Sequence, residues 1–84
     1  MSTAWVKLHG RLAAYYSEQN ADIGEDGIPI VFSQEKESVA SILSKLHIPV
    51  EMVGFIAING IACAKDAMLA DGDKAIIFPH VIGG

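Results

Sequence analysis

The segment "FPHVIGG", positions 78–84, carries the most legible chemistry in the chain. A terminal carboxylate is ionised at neutral pH, with an ordinary pKa of about 3.3–3.7, and is inert as it stands. It becomes an acyl donor once activated, for example by attacking the α-phosphate of ATP to give an acyl adenylate. An enzyme performing that step must thread the segment into a narrow site whose groups surround the reacting phosphate. Gly83 and Gly84 suit such a slot, because a Cβ at either position would press on its walls. Pro79 offers no backbone donor, and His80, Val81 and Ile82 include no strong turn former before the glycines. A flexible tail is therefore expected over 79–84, and six extended residues reach roughly 20 Å. Against this stands the plain alternative that terminal segments often fray without consequence.

Other residues with chemical potential have simpler explanations. His9, His47 and His80 fall on a strand, a helix end and the tail without ligand spacing, so no metal site is expected. Asp71 and Asp73 flank a glycine, which makes them turn formers before cation ligands. Cys63 sits in an apolar run and reads as a small buried hydrophobe ahead of a thioester or persulfide site. Lys7, Lys65 and Lys74 read as solvated strand-edge charges, with one of them as an alternative acceptor for conjugation. No Ser-His-Asp or Cys-His arrangement is legible, and intrinsic catalysis is not expected.

With 84 residues there is room for one domain, 1–84, enclosing a single small core. An apolar fraction of 51% and a mean hydropathy of +0.36 are rich for so short a chain and favour an exposed face that binds a partner. The formal net charge of −4 argues against nucleic acid and points to basic partner surfaces. One cysteine fits a reducing compartment. The opening "MSTAWVKLHG" lacks the basic start and apolar stretch of a signal peptide, and "FIAINGIACA" is too short to span a bilayer. A cytoplasmic protein with no membrane contact is the expectation.

These residues need elements to position them. "AWVKLH" (4–9) alternates with Val6 and Leu8 on one face and Trp5, Lys7 and His9 on the other, the period of a half-buried strand. "RLAAYY" suits a short helical turn, and "SEQNADIGEDG" reads as a loop. In "IPIVF", Pro29 places a strand at an edge or at its own beginning. The clearest helix is "SVASILSKLH", with Val39, Ile42, Leu43 and Leu46 on one stripe, Ser38 as cap and Pro49 as stop. Asn59-Gly60 joins "FIAI" and "IACA" in a hairpin, "KDAML" crosses over, and Asp71-Gly72 launches the last strand "AIIF". The sum is an α+β roll, a sheet of four to five strands with one main helix packed across it and the first and last strands near the middle. Alternation leaves open whether Phe55 and Phe78 face a partner or the core.

Positions 55–84 resemble the C-terminal half of the ThiS/MoaD family of ubiquitin-like sulfur-carrier proteins. The matching residues are Ile58-Asn59-Gly60, Asp66, Asp71-Gly72-Asp73, Ile76-Ile77-Phe78, Pro79 and Gly83-Gly84. Upstream, "VKLHGRLAAYY" is similar to the MoaD-side opening, with Arg11 and Leu12 at the family's Arg-Leu pair, and the ending "FPHVIGG" is closer to MoaD than to the thiazole-pathway members. Residues 17–37 match least.

The resemblance implies a β-grasp fold with a mixed sheet and a carrier that is not itself an enzyme. It also implies that an adenylating enzyme consumes ATP to activate Gly84, and that no cofactor is bound by the chain itself. A sulfur donor protein would then convert Gly84 to a thiocarboxylate, and a synthase subunit would accept the sulfur, in molybdopterin, thiazole or another sulfur-insertion pathway. Gly83, Ile82, Val81, His80 and Pro79 would thread into the enzyme, while Phe78, Phe55 and Arg11 would face partners. A ubiquitin-like modifier joined to lysine uses the same activated end, and a non-covalent β-grasp interaction module would leave the glycines idle.

Overall fold

The computed structural model describes residues 1–19 and 27–80. Strand β1 (Ser2–Leu8) buries Ala4, Val6 and Leu8 and turns Trp5 and Lys7 to the opposite face, as the alternation requires. It begins two residues before the expected start, because Ser2 and Thr3 pair with Phe32 and Val31 of β2 (Ile28–Phe32). Among the described residues β2 pairs with β1 alone, so Pro29 lies on the sheet edge, where a missing N–H costs no ladder bond.

Between them, the short helical turn expected over "RLAAYY" is a nine-residue helix, α1 (Arg11–Gln19). Leu12 explains it: the side chain is fully buried and anchors the first turn to the core, while two alanines favour continuation. Helix therefore takes the start of the loop expected over 17–27, and residues 20–26 of that loop lie outside the described residues.

Helix α2 (Val39–Lys45) is the expected amphipathic segment. Val39, Ile42, Leu43 and Leu46 are all buried, and Ser38 Oγ accepts a hydrogen bond from the Ser41 N–H at 3.1 Å, the expected cap. The helix stops at Lys45, earlier than the pattern suggests, because His47 takes a left-handed φ of +58°. A single 3-10 turn (Val50–Met52) then leads into β4 (Val53–Ile58).

Two three-residue strands, β3 (Lys36–Ser38) and β6 (Met68–Ala70), pair into a second small sheet. The sequence reading has a crossover where β6 lies. Three residues are too few for a period-2 signal, and only the buried Leu69 betrays the inward face.

β4 and β5 (Ile61–Cys63) form the hairpin on Asn59-Gly60, whose φ values of +52° and +85° are those of a type I′ turn. β7 (Lys74–Pro79) enters between β1 and β4, giving the order β2-β1-β7-β4-β5 with β1 and β7 parallel and every other pair antiparallel. The first and last strands thus lie side by side near the middle, in the mixed α+β sheet expected.

One face of this sheet meets both helices. Val6, Leu12, Val39, Ile42, Leu43, Val53, Ile56, Leu69 and Ile77 are all at most 2% exposed and belong to one cluster. Each such aliphatic side chain contributes about 1.5–3 kcal/mol by leaving water. No helix among the described residues is long and apolar enough to cross a membrane.

Candidate functional site

The site is assembled where β7 ends. Pro79 pairs with Val53 at the start of β4, and the register shifts between Val53 and Phe55, leaving Gly54 against the end of β7. A Cβ on Gly54 would lie 2.7 Å from the Pro79 carbonyl oxygen and 3.1 Å from His80 Cα. Both are backbone atoms that cannot swing aside, so the two strands approach through bare glycine.

The next residue is held at both of its backbone polar groups. His80 N–H donates to the Met52 carbonyl at 2.8 Å, and Arg11 Nη2 donates to the His80 carbonyl. Beneath Pro79 lies Gly10, where a Cβ would meet the ring at ordinary contact distance, 3.5 Å. The segment expected to be a free tail from Pro79 onward is thus attached through its first two residues. The physical reason is that β4 and the 3-10 turn offer groups the sequence does not advertise, a bulge and a main-chain carbonyl. Val81, Ile82, Gly83 and Gly84 lie outside the described residues.

Beside this attachment stands an aromatic pair. Phe55 and Phe78 are register partners, and their rings stack at 4.4 Å with 9° between planes. The His9 ring tilts against Phe78 at 5.1 Å. Ile56 and Ile77, the next residues in each strand, are buried. The facing left open by alternation is now decided: both phenylalanines lie on the sheet face away from the core, with Phe55 48% exposed.

The same face continues through Ile76 and Ala57, also register partners, to Trp5. Trp5, Lys7, Asn59, Gly60, Lys74 and Ile76 rim a shallow depression of about 270 Å³. Its charges are the exposed lysines 7 and 74; the one ion pair among the described residues, Lys45 to Glu37 at 2.9 Å, lies elsewhere. A basic partner surface, expected from the net charge, does not match the local charge of this face.

The remaining candidates separate. Arg11, expected at a partner interface, is exposed and donates from Nη2 to the His80 carbonyl. Cys63 is only partly buried, because β5 is an edge strand, and its thiol donates to the Ile61 carbonyl at 3.3 Å. Among the described residues no group of three His, Cys, Asp or Glu is placed to hold a metal ion.

The two turn motifs are joined to each other. Asn59 Nδ2 donates to Asp73 Oδ1, and Asn59 Oδ1 accepts from the Lys74 N–H, each at 3.0 Å. Asp73 Oδ2 accepts from the Ala70 N–H and Asp71 Oδ1 from the Thr3 N–H, each at 2.8 Å. These bonds fix the near end of β7, and the β7 ladder carries that register to His80.

Sequence reasoning missed Met52 and Gly54. Met52 acts through its main-chain carbonyl, which no side-chain type signals. Gly54 could have been found, since a lone glycine inside the strand pattern "MVGFIAI" marks a bulge or a close backbone approach.

Comparison with known proteins bears on the fold. No family model and no curated protein matches the chain. Among solved structures it is similar to a Pyrococcus furiosus protein provisionally named molybdopterin converting factor, subunit 1. The TM-score is 0.66 at 20% identity, covering 96% of this chain and 100% of that one. The architecture is therefore a MoaD-like β-grasp, as the motif string led one to expect.

Proposed function

We propose that this protein is a sulfur carrier that works through its C-terminal glycines. The observation that carries the reading is the placement of the Phe55–Phe78 patch directly beside the anchored base of the C-terminal segment. A partner docked on that patch receives the segment at once, without a separate search. From His80, four residues remain, spanning about 13–14 Å when extended.

In the proposed reaction a Gly84 carboxylate oxygen attacks the α-phosphorus of ATP in an activating enzyme, and pyrophosphate leaves. Sulfur at the hydrosulfide level then displaces AMP, giving a thiocarboxylate. This chain supplies the docking face, the anchored base and a segment that ends without Cβ atoms. Catalysis belongs to the partners: the activating enzyme, a sulfur donor and a synthase subunit that takes the sulfur. The name of the Pyrococcus protein suggests molybdopterin as the product.

The test is intact mass after incubation with ATP, sulfide and an activating enzyme from the same cell, beside a copy lacking Gly84. Exchange of one oxygen for sulfur at the C-terminus of the full chain alone supports the reading. Equal labelling of both copies, or none with any such enzyme, overturns it.

A further inference from the structure

We propose that Arg11 is a positioning residue that, with the Met52 carbonyl and Gly54, fixes where the C-terminal segment parts from the sheet. The inference rests on the sulfur-carrier reading for its functional consequence, and on geometry alone for the grip itself.

Arg11 is poorly explained by its own helix. It is the first residue of α1, whose first turn has no acidic residue, and a cation there opposes the helix dipole. Its side chain is exposed, so burial does not account for it. What it does is cross to a main-chain carbonyl 69 positions away in sequence. A guanidinium presents its donors in a rigid planar fork, so less freedom is lost in aiming one at a carbonyl than with a lysine.

The other half of the grip is equally specific. The His80 N–H reaches Met52 on a different element, so the two polar groups of the His80 backbone are satisfied from two separate elements, α1 and the 3-10 turn. Pro79 has a fixed φ, and the bare Gly54 lets β7 lie close enough for the bond to form. Chain ends ordinarily leave such groups to water.

A segment launched from a fixed point and direction searches a smaller volume than one hinged earlier. Its far end therefore has a higher effective concentration in the site of a docked enzyme. Loss of the grip should leave docking intact and slow the step that needs the carboxylate in place, the signature of lost orientation.

The experiment compares full-length protein with Arg11→Ala and Arg11→Lys, after checking that melting temperatures match. Amide exchange at His80 should quicken about two- to tenfold in Arg11→Ala, as expected for one weakened hydrogen bond. In the activation reaction kcat should fall about ten- to a hundredfold with KM nearly unchanged, and Arg11→Lys should recover part of both effects. Unchanged exchange at His80, or a rise in KM at constant kcat, overturns the proposal and makes Arg11 a partner contact. Faster exchange without a fall in kcat overturns it as well. Should wild type accept no sulfur, the carrier reading fails, while the exchange data still decide whether the grip exists.

Discussion

Asn59 and Asp73 are 14 positions apart, yet their side chains meet at 3.0 Å and lock the hairpin turn of β4–β5 to the turn that launches β7. Asp73 accepts a second bond from the Ala70 N–H. Replacing Asp73 with Ala removes both, at about 0.5–1.5 kcal/mol each. An expected loss of about 1–3 kcal/mol should be read as a lowered urea midpoint with unchanged slope. A loss below about 0.3 kcal/mol would show that the turns hold without the bridge.

Gly54→Ala tests the close approach at the end of β7. The added methyl group must displace the Pro79 carbonyl, and such overpacking costs about 1–3 kcal/mol. The displacement should also weaken the His80–Met52 bond, so His80 exchange should quicken along with the loss of stability. A variant as stable as wild type, with His80 unaltered, would mean the strands separate at no cost.

Phe55→Asp is expected to spare the fold and damage partner binding. Half the residue is already in water, so stability should drop by little more than the stacking contribution, about 0.5–1.5 kcal/mol. Affinity for the activating enzyme, measured by calorimetry, should fall at least about tenfold if the aromatic pair is the anchor of the interface. Equal affinity would move the docking face elsewhere.

The pH dependence can be signed at Glu37. Hydrogen bonding from Lys45, joined by Ser41, holds its carboxyl below the ordinary glutamate value. A carboxyl lowered in the folded state stabilises the protein above its unfolded pKa and loses that contribution as pH falls through the folded one. Wild type should therefore melt slightly above Glu37→Gln at neutral pH, and the gap should close on acidification below about pH 4. A gap that widens in acid would contradict the assignment.

How much of this could be read from the sequence depended on the length and kind of signal. α2 shows in four apolar residues at helical spacing, and the hairpin shows because Asn-Gly satisfies a strict backbone requirement. Strands β3 and β6 were illegible, since three-residue strands are specified by their partners across the fold and not by local pattern. At the site, Phe55 and Phe78 were found as residues but not oriented, because "FIAI" and "AIIF" are apolar at every position and so give alternation no polar face to mark. Pro79 and His80 were read as free because the groups holding them are a main-chain carbonyl and a distant arginine.

The parallel pairing of β1 with β7 has a consequence for biosynthesis. Val6 lies opposite Ala75, and Leu8 opposite Ile77, so the middle of the sheet joins residues nearly the whole chain apart. Until β7 has left the ribosome, β1 has only its edge partner β2 among the described strands, and its inner edge stays unpaired. Folding of such non-local topology is slow compared with helical domains, and incomplete chains are prone to stick together. Nascent chains stalled before residue 74 should accordingly stay sensitive to protease and bound to chaperones, and release of the last strand should end that state in one cooperative step.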